Sequence, residues 1–423
     1  MSSRARSDRG GRRPPVRSRF WPIVAAVAAI VLVVSGALLV AQPAIAPTPP
    51  PTDVALGSST PTSATSPTDT PSASPSGSPS VAPTSTVGPT PSFPPATDRG
   101  YLTSVAELHQ RAAAASAGHE PEADAVADLI DRTTKVVDAP PHPENPLSVR
   151  GTNGVFVSDT ANAYTLALDW ATTGDPAAGA HARDIVLAWV RTARSTRNTC
   201  ATGGQCQTSL VISRNAPGFV FAVDLLATDR SVWTPADDQA FRAWLRTVIL
   251  PAASDRTNNW GDAGTLLRLV GSDYLGDQAG VDRAIALWRS RLDLITSEGE
   301  IPEETRRGHS GMLYTQEALL YKTAVAVIAG RRGIDLWSAT GARGGSLKGA
   351  IDLLADYWVH PEDWPWNDHV DRPDPGPLWE MAYAHWQDPA YAAIVLEGRP
   401  FGPDGHSAVR WTTLTSGIPV ATP

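Results

Sequence analysis

Beyond residue 100, apolar side chains recur every three to four positions, the spacing of helices that bury one face. Residues 101–117 place Leu102, Val105 and Leu108 on one side, and 123–137 continue with Val126, Leu129 and Ile130. The same spacing predicts helices over 160–171, 178–193, 219–227, 235–250, 263–270, 281–292, 347–358, 378–386 and 391–396. Thr234 and Pro235 read as the cap and first residue of the 235–250 helix. Three helix pairs share one kind of joint: Thr173-Gly174-Asp175-Pro176, Gly276-Asp277 and Gln387-Asp388-Pro389 each stop one helix and start the next. Helix, short turn with Asp, helix again is the pattern of antiparallel hairpins, here without an exact repeat period. Strand-like runs are confined to 154–157 and 408–415. The body is expected to be all-α.

The first hundred residues lack this pattern. Residues 1–19 hold seven arginines against Asp8, a charge of +6 on a chain that totals −8, so the remainder sums to −14. Residues 23–40 are eighteen uncharged, mostly apolar positions preceded by Trp21 and Pro22. With one residue added at each end they span roughly the 30 Å of a bilayer core, and the arginines before them place the amino terminus inside. Residues 1–20 therefore read as a basic cytoplasmic tip and 21–41 as an uncleaved signal anchor at the cell membrane. Cleavage at the Ala44-Ile45-Ala46 triplet, releasing a secreted body, is the alternative. Residues 42–97, rich in Pro, Ser and Thr, have too little apolar area to offset the entropy of ordering and are expected to form a disordered, extended spacer. The folded domain is assigned to 98–423, outside the membrane, where Cys200 and Cys206 are expected to form a disulfide across a small loop. No spacing calls for a metal or other cofactor: the glycines of 341–345 lack a phosphate loop's lysine. The acidic body argues against a nucleic-acid partner.

Chemistry concentrates in two stretches. Glu304, Arg306, Arg307, His309 and Tyr314 lie within eleven positions, and Ala318, Leu319, Leu320, Thr323, Ala324 and Val327 then continue as a buried helix. Arginines in the first turn of that helix would oppose its dipole, a cost expected where function requires it. The second stretch is Asp255-Arg256-Thr257-Asn258-Asn259-Trp260-Gly261-Asp262, whose paired amides can cap a helix or donate to a substrate carboxylate. Of the fourteen tryptophans, Trp170, Trp189, Trp244 and Trp288 read as core, whereas Trp260, Trp364, Trp366 and Trp379 stand beside polar residues and are candidates for stacking on sugar rings.

The run Pro302-Glu303-Glu304-Thr305-Arg306-Arg307-Gly308, followed by Tyr314, Ala318 and Leu319, resembles the alginate lyase family of polysaccharide lyases. Glu304, Arg307 and Tyr314 keep that family's spacing, Asn258 and Asn259 match the amides of its Asn-Asn-His landmark, and the likeness extends over about 150–395. The resemblance implies an incomplete (α/α) toroid of helical hairpins and β-elimination on a uronate-containing glycan. Where the family has its catalytic histidine, this chain has Trp260, whose indole has no basic lone pair.

Elimination needs donors at the uronate carboxylate, a base at C5 and an acid at the leaving oxygen. Asn258, Asn259 and Arg307 are assigned to the carboxylate and Tyr314 to proton transfer, with His309 as the alternative base. Arg306, Arg214, Glu304, Trp260 and Trp364 are candidate substrate-binding residues, Glu304 chiefly by orienting Arg307. Two other functions compete: an inverting glycoside hydrolase drawing its acids from Glu303, Glu304, Asp262 and Asp363, and a surface glycan-binding protein whose site has lost catalysis.

Overall fold

The computed structural model describes residues 100–149, 154–198, 207–403, 405 and 407–420. The expected membrane anchor, the spacer and the cysteine pair lie outside these residues. The described chain is helical, and its only β-type pairings are three isolated bridges, such as Leu147 with Thr196.

Fifteen α-helices succeed one another among the described residues: α1 Val105–Ser116, α2 Glu122–Val136, α3 Val155–Thr173, α4 Pro176–Thr192, α5 Thr208–Asn215, α6 Pro217–Leu226, α7 Pro235–Trp244, α8 Asn259–Leu275, α9 Gln278–Leu292, α10 Pro302–Thr305, α11 Gly311–Gly330, α12 Leu347–Val359, α13 Pro377–Trp386, α14 Pro389–Gly398 and α15 Thr412–Ser416. Helices α3, α6, α8, α11 and α13 pack in series, and the series returns through α15 and α2 to α3. Around this inner ring, α4 covers α3, α9 covers α8, α12 covers α11 and α14 covers α13. Each outer helix follows its inner partner in sequence, so the architecture is a toroid-like stack of helical hairpins.

Most residues of the inner helices are enclosed, which explains their composition. All ten residues of α6 are buried, as are fifteen of the seventeen in α8. A helix that is apolar all round belongs in a core. The stretch Thr208–Leu226 is long and apolar enough to cross a membrane, but 94% of it is buried within the protein. It is also divided into α5 and α6, with Pro217 opening the second helix.

The three predicted joints share their physical chemistry. Gly174 and Gly276 end α3 and α8 in the left-handed region at φ 80° and 68°, and Gln387 ends α13 at 52°. An aspartate then caps the next helix: Asp175 accepts from the Ala177 N–H at 2.9 Å, Asp277 from Gly280 at 3.0 Å, and Asp388 from Ala390 at 3.0 Å. Replacing such a cap with alanine costs about 1 kcal/mol. Asp175→Ala should lower stability by that amount in urea titrations without changing the slope.

Four expectations need correction. Residues 154–157 do not form a strand: Gly154 is the cap of α3, and the β-branched valines fall in its first turn. Residues 408–415 end in α15 and not in a sheet. The 235–250 segment is α7 followed by a π turn, Leu245–Ile249, and a 3-10 turn, Leu250–Ala252, where Pro251 has no N–H to continue the ladder. Finally, α5 is a separate helix that periodicity missed, because its apolar residues Leu210, Val211 and Ile212 are consecutive and its flanking polar residues, Arg214 and Asn215 among them, are buried as well.

Candidate functional site

The two chemical stretches meet at one end of the ring. The link from α10 to α11 runs through Arg306, Arg307 and a 3-10 turn, Gly308–Ser310, with Gly308 in the left-handed region at φ 62°. Both arginines therefore precede α11 rather than occupying its first turn, and the expected conflict with the helix dipole does not arise. Opposite them, Asn258 caps α8 by accepting the Trp260 N–H at 3.2 Å. Close packing fixes this start: a Cβ on Gly261 would lie 1.6 Å from the Arg256 carbonyl oxygen.

Glu304 is the hinge between the stretches. It is 0% exposed, accepts the backbone N–H of Asn259 at 2.5 Å, and faces Arg307 Nη1 at 3.4 Å. Arg307 in turn lies over the Tyr314 ring, with its Cζ 3.8 Å from the ring centre. Asn259 also donates from Nδ2 to Glu317 at 2.7 Å, one helical turn beyond Tyr314 on α11. Residues far apart in sequence thus form one connected group: Asn259 binds to α10 through its backbone and to α11 through its side chain. Tyr314 is half-buried, and its hydroxyl has no hydrogen-bond partner among the described residues.

The remaining candidates fall into different places. Arg214 is buried, donating to Glu317 at 2.6 Å and to the Tyr321 hydroxyl at 2.9 Å, and these partners help to raise its pKa although burial alone would lower it. It supports Glu317 from inside rather than supplying open positive charge. Arg306 is exposed and turned onto Glu300 at 2.7 Å. His309 is exposed on the rim, its carbonyl accepting the Asp371 N–H at 2.8 Å.

The expected open indoles are mostly closed. Trp364 is 3% exposed and donates to the Thr305 carbonyl at 3.2 Å, so it props the α10 turn from behind. Trp379 is fully buried, and its indole N–H reaches Gln316 at 2.9 Å. Trp260 is 6% exposed beneath Arg256, whose Cζ lies 4.2 Å from the ring centre. Trp366 alone of the four is half-buried. Arg256 also borders a polar cavity lined by Thr196, Asn198, Thr208, Ser209 and Ser254.

Burial sets the electrostatics. Removal from water pushes the Glu304 carboxyl up to about 8, the nearby Asp262 adds to that, and the Asn259 N–H, Arg307 and Lys322 oppose it. Asp262 is likewise raised by burial, against the pull of its ion-pair partner Lys322, which is itself buried in α11. A carboxyl that ionises near 4.5 unfolded but near 8 folded keeps its proton longer in the native state. The stability contributed by the Glu304 proton is then fully present below about pH 4.5 and falls as pH rises towards 8, by at most about 1.4 kcal/mol per pH unit. Glu304→Gln should flatten that part of the stability–pH curve in denaturant titrations at pH 5, 6.5 and 8.

Sequence reasoning missed Glu317 and the Asp262–Lys322 pair. The signal was present, since Glu317 and Lys322 are isolated charges in an apolar helix, and such charges are rarely buried unless paired.

An all-helical toroid-like fold, with amides, arginine and phenol gathered at one end of its ring, defines the class of protein. The chain belongs to the alginate lyase family, whose profile, described as Alginate lyase, matches residues 117–364. Among solved structures, an alginate lyase from Bacteroides ovatus is 17% identical with a TM-score of 0.59, covering 76% of this chain and 100% of that one. Alginate lyase A1-III from Sphingomonas species A1 is 16% identical with a TM-score of 0.59, covering 76% and 97%. A histidine-to-alanine variant of alginate lyase A1-III, complexed with tetrasaccharide, is 15% identical, with the same TM-score and coverage. At these identities the likeness concerns the fold. No curated protein is matched by the sequence.

Proposed function

We propose that the protein is a polysaccharide lyase that cleaves a uronate-containing glycan by β-elimination. The observation that carries this reading is the guanidinium of Arg307 lying over the Tyr314 ring, tied through Glu304 to the paired amides at the start of α8. Family membership and the tetrasaccharide complexes of alginate lyase A1-III support an acidic oligosaccharide as the ligand.

In this mechanism the uronate carboxylate lies against Arg307 and the amides of Asn258 and Asn259, which stabilise the charge that builds as C5 loses its proton. The Tyr314 oxygen takes that proton. The electron pair forms the C4–C5 double bond as the C4–O bond breaks, and Tyr314 returns the proton to the departing oxygen. One group serves both steps when the proton and the leaving oxygen lie on the same face of the ring. Trp260 takes no part in proton transfer, so Tyr314 carries it, with exposed His309 as the alternative base. Glu304 holds Arg307 and does not meet the sugar.

The hydrolase reading is weaker. Glu304 is enclosed, Asp262 is paired with Lys322, and both Glu303 oxygens accept from the Thr257 hydroxyl at 2.9 Å.

Incubation with a panel of uronate polymers, following ultraviolet absorbance, tests the proposal, because only elimination creates a conjugated unsaturated uronate. New reducing ends without that absorbance would establish hydrolysis, and binding without either product would establish a glycan-binding protein. Anchoring of the domain at the membrane through residues 21–41 forms part of the same reading. Fractionation of cells expressing the full chain tests it, with recovery in the medium as the contrary result.

A further inference from the structure

Glu317 is a carboxylate with both oxygens engaged: Oε1 accepts from Arg214 at 2.6 Å and Oε2 from Asn259 Nδ2 at 2.7 Å. A carboxylate can only accept, so it dictates which end of the Asn259 amide turns towards it. The opposite orientation would set the Asn259 carbonyl oxygen against a carboxylate. The orientation adopted has a cost of its own, since Asn259 Oδ1 is buried without a hydrogen-bond partner among the described residues. Arg214 makes the arrangement stable by matching the Glu317 charge, and is itself braced by the Tyr321 hydroxyl.

We propose that Glu317 is a positioning residue of the site: by holding one N–H of Asn259 Nδ2, it fixes the amide of this residue, itself only 1% exposed, so that the second N–H is the donor left for a substrate carboxylate. This rests on the elimination reading for what the donor meets, but not for the orientation itself. The hold also reaches Arg307, because the backbone of the same Asn259 binds Glu304, the partner of Arg307.

Glu317→Gln keeps the volume but offers one acceptor and one donor. The stronger claim of Arg214 on the acceptor leaves the new N–H facing Asn259, which must then turn its oxygen inward. The amide that met the substrate carboxylate with a donor would be lost, and charge building there would go unanswered.

The test combines nuclear magnetic resonance of side-chain amides in protein carrying ¹⁵N-asparagine with kinetics on a uronate polymer. The Asn259 signal is assigned by its loss in Asn259→Asp. Glu317→Gln is expected to shift that signal and to lower kcat by about thirtyfold or more, with KM changed less than threefold. That split separates loss of transition-state stabilisation from loss of ground-state binding. An unmoved Asn259 signal, or unchanged kcat with only a lower melting midpoint, would overturn the proposal. Because Glu317→Gln leaves Arg214 without a counter-charge, the double variant Arg214→Gln with Glu317→Gln is measured alongside. Recovery of stability without recovery of kcat supports positioning, whereas recovery of both would show a structural role. If the wild-type chain eliminates no polymer tried, the lyase reading fails by that result, and the amide signal still decides the role of Glu317.

Discussion

Tyr314→Phe is expected to reduce formation of unsaturated uronate by about a hundred- to ten-thousandfold, the usual contribution of a positioned acid or base. The prediction is sharp because of what the substitution leaves alone. The Tyr314 hydroxyl has no partner within the described protein, while the ring beneath Arg307 is retained. Folding should therefore be unaffected, and loss of activity could not be ascribed to a disturbed Arg307. Initial rates by ultraviolet absorbance, with melting curves of both proteins, provide the check. A variant as active as its parent would remove Tyr314 from proton transfer and transfer the role to His309.

The second large effect concerns stability. Lys322 and Asp262 form an ion pair in which each side chain is 3% exposed, joining α11 to α8 directly beneath the site. Removing one partner strands a charge in a place that penalises it, and breaking such pairs costs about 3–5 kcal/mol. Lys322→Met should therefore destabilise the fold by that amount in denaturant titrations. Replacing both partners, as in Lys322→Met with Asp262→Leu, should recover most of the loss, because the desolvation penalty goes with them. If the double variant were no better than the single one, the penalty would arise from packing instead of charge.

What could be read beforehand followed the range of the forces involved. Helix joints are local: a left-handed residue, a capping aspartate and in two cases a proline lie within four positions, and all three joints formed as expected. The link between the amide pair and the Glu304–Arg307–Tyr314 series was also foreseeable in kind, since each group needs partners that its own neighbours do not supply. Burial of Trp260, Trp364 and Trp379 was not, whereas Trp189, Trp244 and Trp288 lie in the core as their helical spacing suggested. Trp364 sits among Asp, Pro and Trp residues that suggest an exposed loop, yet the loop folds back so that its indole meets the Thr305 carbonyl. Trp379 precedes Glu380, which looks like a surface acid but is fully buried against Arg399 and Thr413. Such outcomes depend on contacts made across the ring. Glu317 was overlooked for a similar reason: its partners Arg214 and Asn259 come from two other helices.

The directions of the inner helices carry a consequence for encounter with substrate. Asn259 at the start of α8 touches Glu317 in the second turn of α11, and Gln316 beside it accepts the N–H of Gly376, the residue that caps α13. Three amino-terminal helix ends thus point to the same end of the molecule. Each carries roughly half a unit of positive charge from its aligned peptide groups, effective only over about one turn. A body of net negative charge can in this way repel a polyanionic chain at a distance and still welcome an individual carboxylate that has arrived. Raising the ionic strength should therefore ease the approach of a long polymer more than it weakens the hold on a short fragment.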